Sequence, residues 1–415
     1  MTADLSSSPL AVVLSGGGAR GAYEVGVLRY VFGELAPKLG PRAVPRIFCG
    51  TSVGAINACA VAASVDEPDM GTQRLRDRWL GLRLDDVFRL GWGDLTGLVR
   101  WLVGAPRPDG PQSLLDATPL ADLVRLAVPW RKLHQAVAEG RVLGVTVSAT
   151  DVETGHTVVF LESERRTPVT AHDRAVDWTS TRLTPRHALA SAAIPIVFPT
   201  VRVAGRLYSD GSLRQNTPIA PALRLGAGRV LVVGLRTRGA QRRERQDATD
   251  QQSISSPIYL FGKLLDALLL DRVESDLSNL RQVNAALLAL SHVSPIAIGQ
   301  EPIVAALQAA GGGLRPVQDF FIRPSQDLGR LAADVLQRPV VRGRLAGPAG
   351  YMLRRLGEAA AGGDPSDLLS YLLFDDEYAH DLIALGESDA RRSEDALSAF
   401  LQDGPVRADE TNPVD

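Results

Sequence analysis

Three short stretches of the chain carry residue types and spacings that could do chemistry. The first is Gly16-Gly17-Gly18-Ala19-Arg20-Gly21, which follows an apolar run and opens a helical pattern. A glycine run there exposes successive backbone N–H groups at a helix N-terminus, a setting suited to an anion. Two anions are candidates: a dinucleotide pyrophosphate, or the oxyanion of an acyl-transfer intermediate. The Gly16-x-Gly18-x-x-Gly21 spacing fits the dinucleotide fingerprint, but that fingerprint also wants an acid at the end of the second strand, about 20 residues on. Here the second strand ends at Cys49-Gly50-Thr51, and Glu34 falls inside the helix.

The second stretch is Gly50-Thr51-Ser52-Val53-Gly54, a G-x-S-x-G sequence between a strand and a helix. Small flanking residues allow a tight turn that holds a serine hydroxyl at the strand's C-terminal edge, the arrangement of a nucleophile elbow. The following helix directs its positive end toward the oxygen that develops charge. The third stretch is Tyr208-Ser209-Asp210-Gly211-Ser212, after a short β pair (Val201–Val203 and Arg206–Tyr208). Asp-Gly is commonly an ordinary turn. An aspartate at a strand end can nevertheless accept a serine proton directly when held within hydrogen-bond reach. The histidines are His134, His156, His172, His187, His292 and His380, and none lies in a strand-end motif of this kind. Isolated histidines are more often surface or satisfied core groups.

The elements that must position these residues follow from periodicity. Leu10–Ser15 is a continuous apolar run of strand length ending in glycine, as a buried parallel strand would. Tyr23, Val27, Val31 and Leu35 then recur at helical spacing, and Pro37 is expected to stop that helix. Ile47–Cys49 is a second strand, followed by an Ala-rich helix to about Val65. Strand, glycine turn, helix, repeated, is the rhythm of a parallel sheet with crossovers. Further strands are expected at Val142–Ser148, Thr157–Leu161, Val201–Val203, Val230–Leu235 and Asp319–Ile322, and a short helix from Thr118-Pro119. The fold class expected is α/β, a three-layer sandwich with a mostly parallel central sheet and a mainly helical C-terminal part.

Length and composition bound the rest. A chain of 415 residues allows two or three domains. The chemistry-bearing set, however, spans Gly16 to Asp210, which requires one folded unit over 8–236. A polar loop or linker at 237–256, a helical region packed on the first unit at 257–405, and a flexible tail at 406–415 complete the division. Hydrophobic residues at 45% and charged residues at 22% exclude global disorder. A net charge of −2 argues against nucleic-acid binding through bulk charge. Lys38, Lys132 and Lys263 are the only lysines, an arginine bias that reads as genomic composition before anion recognition. The two cysteines, Cys49 and Cys59, flank one turn and form no disulfide framework, which fits a reducing compartment. The opening MTADLSSSPLAVVLSGGG lacks the marks of a signal peptide, and no apolar run approaches 18 residues. A cytoplasmic protein, with peripheral membrane association, is expected.

Taken together, GGGARG, GTSVG about thirty residues later and the distant Asp210-Gly211 resemble the patatin-like phospholipase family. Ala190–Pro199 (ASAAIPIVFP) looks like the block before that family's Asp-Gly motif, and Val145–Gly155 (VTVSATDVETG) is similar to another block. The helical stretch from Tyr259 and Leu369–Phe374 (LSYLLF) look like bacterial members. The likeness covers most of 10–390. It implies a serine acyl hydrolase with a Ser–Asp dyad, Ser52 as nucleophile and Asp210 as base. It further implies an oxyanion hole at Gly16, Gly17 and Gly18, with Arg20, Gly21, Gly50, Gly54 and Gly211 in support. No metal or organic cofactor is required, and the partner is a lipid or phospholipid substrate. One departure stands out: the family usually has Gly or Ala where this chain has Ser212, whose hydroxymethyl would crowd the dyad or hydrogen-bond to it.

Two stretches are candidates for lipid contact, Trp92–Val103 and Pro257–Leu270, each with core packing as its plainer reading. The arginines at 236, 238, 242, 243 and 245 are interleaved with Glu244, Asp247 and Asp250 and read as a solvated loop. Competing functions remain open from the sequence. One is an esterase with a Ser-His-Asp triad using His292 or His380. Another is a non-catalytic lipid- or partner-binding protein on the same fold, and the third is dinucleotide binding.

Overall fold

The computed structural model describes residues 9–87, 118–164, 175–195, 198–237, 273–292, 316–345, 347–360 and 366–402. Trp92–Val103, Pro257–Leu270, His172 and the arginines from 238 to 245 lie outside them. Continuous apolar runs produce the centre of one sheet: β1 (Leu10–Leu14), β2 (Ile47–Thr51), β3 (Gly144–Asp151), β4 (Thr157–Glu162), β5 (Val176–Ser180), β6 (Val201–Val203), β7 (Arg206–Asp210), β8 (Arg229–Val233) and β9 (Gln318–Ile322). The order across the sheet is β5-β4-β3-β2-β1-β8-β9, with β7 on β3 and β6 on β7. The pairs β3–β2, β2–β1, β1–β8 and β8–β9 are parallel; β4 and β7 are antiparallel to β3.

Residues alternate between two buried faces, as strands covered on both sides require. Leu10, Val12, Leu14, Phe48, Leu231 and Phe320 join the larger core, whereas Ala11, Val13, Ile47, Cys49, Val230 and Val232 join the smaller. The helices Gly21–Leu28, Val53–Ala62 and Asp376–Arg392 contribute to the first core, and Ile219–Arg224 and Val273–His292 to the second. This is a mostly parallel central sheet between helical layers, extended by C-terminal helices. Both cysteines are buried and unpaired, and burial pushes the Cys49 thiol up to about 12. Among the described residues no helix is long and apolar enough to cross a membrane.

Two local expectations are corrected. Pro37 does not end the first helix: a wide turn, Arg29–Leu35, intervenes, and Pro37 sits in the first turn of a new segment, Ala36–Leu39. In that position its missing N–H has no helical partner to lose. The segment ends instead at Gly40, at φ 90°. Strand β5 has no counterpart among the strands expected. It pairs on one side only, with β4, and is mostly exposed, so it lacks an apolar run.

The C-terminal helix Asp376–Arg392 lies against Gly21–Leu28 at backbone distance. A Cβ on Gly386 would stand 2.2 Å from the Tyr23 carbonyl oxygen, and one on Gly26 would stand 2.1 Å from the Ile383 carbonyl oxygen. The Tyr23 hydroxyl donates to Asp389 Oδ2 at 2.9 Å across the same contact. Gly386→Ala gains up to about 1 kcal/mol of helix propensity but overpacks against backbone that cannot rotate away, at about 1–3 kcal/mol. A net loss of about 1–2 kcal/mol is expected in denaturant unfolding, and unchanged stability would contradict the close approach.

Candidate active site

Register explains why the chemistry-bearing stretches meet. Leu14 is level with Gly50 on β2 and with Val233 on β8, so the glycine loop and Ser52 leave the sheet at the same C-terminal edge. Strand β2 runs along β3 as far as Thr51, opposite Ser148. Strand β7 arrives antiparallel on that same side of β3, with Asp210 opposite the next residue, Ala149. The two strands therefore meet end to end, one delivering Ser52 and the other Asp210.

Ser52 adopts φ 54° and ψ −127°, a sparsely populated conformation for a residue with a Cβ, and the helix Val53–Ala62 begins immediately after it. Its neighbours leave no room for larger side chains. A Cβ on Gly50 would fall 2.3 Å from the Gly54 carbonyl oxygen, and one on Gly54 would fall 2.6 Å from the carbonyl oxygens of Leu14 and Ser15. The Ser52 N–H donates to Ser191 Oγ at 2.8 Å, and that hydroxyl donates onward to the Ser148 carbonyl at 2.5 Å. The strained turn is thus held from both sides.

The Ser52 hydroxyl donates to Asp210 Oδ2 at 2.7 Å. Oδ1 of the same carboxylate accepts from the Ser212 N–H at 2.7 Å. Asp210 is fully buried, and its backbone is clamped by the Thr150 hydroxyl on its carbonyl and the Ala193 carbonyl on its N–H. A Cβ on Gly211 would meet the Ser148 carbonyl at 2.2 Å, which keeps the following turn tight. Burial pushes the Asp210 carboxyl up from 3.8 to about 6, partly offset by hydrogen bonds from Ser212 and Ser52. The Ser212 hydroxyl is among those bonds, so the side chain that departs from the family pattern helps hold the carboxylate ionised.

Gly16 faces this pair. A Cβ there would lie 2.2 Å from Ser212 Oγ and 3.1 Å from Ser52 Cβ. The Gly16 N–H donates to the Asn216 carbonyl at 3.2 Å. The N–H groups of Gly17 and Gly18, in contrast, donate to nothing among the described residues. Gly18 has φ 54° and packs on the Tyr371 carbonyl, 2.3 Å from where a Cβ would sit. Arg20 is buried; its Nε donates to Ser370 Oγ at 2.7 Å, and its guanidinium lies 4.1 Å above the Tyr371 ring. Gly21 abuts Val53, tying the loop to the helix after Ser52. Beneath it, Glu24 Oε2 accepts from Asn57 Nδ2 at 2.9 Å, and Trp79 Nε1 donates to Asn57 Oδ1 at 3.2 Å. Burial holds the Glu24 carboxyl well above the usual carboxylate range.

A cavity of about 70 Å³ opens beside Ser52, walled largely by apolar side chains including Val53, Ile56, Leu75, Trp79, Phe198 and Phe374. It has the chemistry to hold a hydrocarbon chain. The histidines whose side chains are described lie elsewhere. His134 bonds Glu162, His156 bonds Asp177, and His187 bonds Thr184 at the start of the helix Pro185–Ser191. His380 is exposed beside Asp381. None of these four hydrogen-bonds Ser52 or Asp210, while the side chain of His292 lies outside the described residues. Among the described residues no group of three or more His, Cys, Asp or Glu converges on a metal site.

Sequence reasoning missed the supporting groups Ser191, Asn57, Ser370 and Tyr371. Ser191 sits inside the block that carried the family resemblance, which offered a signal for the segment but not for the residue. Ser370 and Tyr371 are about 350 residues from Arg20, and no local pattern links them.

The elevated Asp210 pKa has a stability consequence. The folded state holds the proton more tightly than the unfolded chain, so stability is lost as pH rises from about 4 through about 6. Asp210→Asn removes a buried charge and is expected to unfold about 2–3 kcal/mol less readily than wild type at pH 8. That advantage should vanish near pH 4. Melting curves across this range check it, and a variant no more stable than wild type at pH 8 would contradict the buried-charge account.

With this geometry in view, the comparisons with known proteins bear on identity. The sequence model of the patatin-like phospholipase family matches residues 12–223, the span that contains every site residue through Asp210. Among solved structures, VipD from Legionella pneumophila is similar to this chain at 12% identity and a TM-score of 0.31, covering 95% of this chain and 83% of its own. No curated protein matches the sequence. The family match spans half of the chain, and the chain belongs to the patatin-like phospholipase family.

Proposed function

We propose that the protein is a serine acyl hydrolase that cleaves carboxylic esters of lipids, of phospholipase A or lysophospholipase type, through Ser52 and Asp210. One observation carries this reading: a serine hydroxyl on a strained strand-to-helix turn donates at 2.7 Å to a buried carboxylate that no described cation neutralises. As Ser52 Oγ bonds to the acyl carbon, its proton passes to Asp210 Oδ2 and the carbonyl electron pair moves onto oxygen. The unengaged N–H groups of Gly17 and Gly18 receive that oxyanion, and loss of one such donor typically costs about 3–4 kcal/mol. Gly16, its N–H taken by Asn216, contributes room for the loop to approach Ser52.

Collapse of the tetrahedral centre breaks the ester C–O bond, and the leaving alcohol takes the proton from Asp210. Water then attacks the acyl-enzyme, giving its proton to Asp210, and the fatty acid departs as Ser52 is reprotonated. An aspartate near pKa 6 is a stronger base than an ordinary one while still ionised at neutral pH. The apolar cavity beside Ser52 takes the acyl chain. Substrate then comes from a lipid surface, so peripheral membrane contact belongs to the proposal.

Ser52→Ala is expected to abolish turnover of lysophosphatidylcholine and of a p-nitrophenyl ester without unfolding the protein; retained turnover in the purified variant refutes the assignment. The pH profile of kcat/KM is expected to fall on the acid side with a midpoint of about 6, because protonated Asp210 accepts no proton. A limb near 4 would contradict a buried base. An acid limb abolished by His292→Ala would instead identify a histidine base.

A further inference from the structure

Among the described residues that line the cavity beside Ser52, Arg78 is the one charged side chain in a mostly apolar wall. The helix Pro68–Leu80 and the residue after its turn present Leu75, Arg78, Trp79 and Leu82 to the cavity. Within the helix, spacing of three and four residues puts Leu75, Arg78 and Trp79 on one face, where an apolar side chain is the rule. Leu75, Trp79 and Leu82 are buried, whereas Arg78 is exposed. An arginine in such a stripe lays its aliphatic stem along the apolar wall and carries its guanidinium outward to water, consistent with Arg78 both lining the cavity and being exposed.

The neighbouring arginines have carboxylate partners: Arg74 with Glu67 at 3.3 Å, Arg76 with Asp77 at 3.8 Å and Arg83 with Asp376 at 2.5 Å. Arg78 has no ion pair or hydrogen bond among the described residues. No described residue engages its planar fork of donors, Arg78 lines the cavity beside the nucleophile, and phosphate oxygens fit such a fork bidentately.

We propose that Arg78 is the headgroup subsite: it pairs with the phosphate of a phospholipid whose acyl chain occupies the apolar cavity beside Ser52. The inference rests on the acyl-hydrolase reading for the identity of its ligand, and it selects phosphate-bearing lipid esters over neutral glycerides. Because the guanidinium is exposed, the preference weakens as salt screens it.

Binding to Ser52→Ala protein tests this without turnover. Decyl phosphate, decyl glucoside and inorganic phosphate are titrated separately by calorimetry, with and without Arg78→Gln or Arg78→Lys added. Arg78→Gln is expected to weaken decyl phosphate about five- to tenfold, leave decyl glucoside unchanged, and be partly rescued by Arg78→Lys. No change for decyl phosphate, or an equal change for both amphiphiles, overturns the proposal. Inorganic phosphate binding as tightly as decyl phosphate overturns the lipid assignment in favour of a free-phosphate site. In parallel, Arg78→Gln in the otherwise wild-type protein should raise KM for lysophosphatidylcholine several-fold more than KM for p-nitrophenyl butyrate; an equal rise for both esters overturns the phosphate assignment. Failure of wild type to cleave either ester removes the acyl-hydrolase reading, while the binding titrations still decide the role of Arg78.

Discussion

Strands β2 and β7 share one edge of β3, and the candidate site depends on how they divide it. Strand β2 uses the edge as far as Ser148, and β7 takes over at Ala149 from the opposite direction. No loop has to span the gap between Ser52 and Asp210, because the hydrogen-bond register of β3 already brings the two strand ends together. The antiparallel arrival of β7 is what lets an aspartate on a returning strand face a serine on an outgoing one. The glycines then follow from crowding: Gly50, Gly54 and Gly211 lie where three pieces of backbone converge within a side chain's width.

Dryness is the second consequence. Asp210 has no solvent exposure and no described counter-cation, so burial outweighs its three hydrogen bonds and its carboxyl stays less acidic than in water. A carboxylate kept this way costs stability at neutral pH, the usual trade at a site arranged for proton transfer. The C-terminal region supplies part of the support. Ser370 and Tyr371 hold Arg20 and the back of Gly18, and Tyr371 and Phe374 also wall the cavity. The glycine loop is thus braced by residues beyond the span that the family model matches.

Much of this was legible in the sequence, for physical reasons that differ by element. The strands β1, β2 and β8 are buried on both faces and announce themselves as apolar runs, while β3 shows as Val residues alternating with Thr and Ser. The expected sheet and its two glycine turns follow the pattern those runs set, whereas the pairing of Ser52 with Asp210 was legible only through the family resemblance. Strand β5 was silent because an edge strand with exposed polar residues has no such run. Pro37 misled because a wide turn restarts the helix one residue before it. The partnership of β7 with β3 was invisible, since pairing between distant segments leaves no local trace. The same holds for Ser191, Ser370 and Tyr371, whose contributions come through tertiary contact alone. Arg78 lay in plain view within a helical stripe, but only the cavity gives its exposed charge a meaning.

The central claim is that Ser52 is a nucleophile activated by Asp210. Covalent trapping tests it most directly: folded protein is treated with a fluorophosphonate, digested, and the adduct located by mass spectrometry at pH 8 and pH 5. The account predicts a single adduct on Ser52, formed faster at pH 8 and suppressed in Asp210→Asn. Absence of labelling at Ser52 in folded protein, or undiminished labelling in Asp210→Asn, would contradict it.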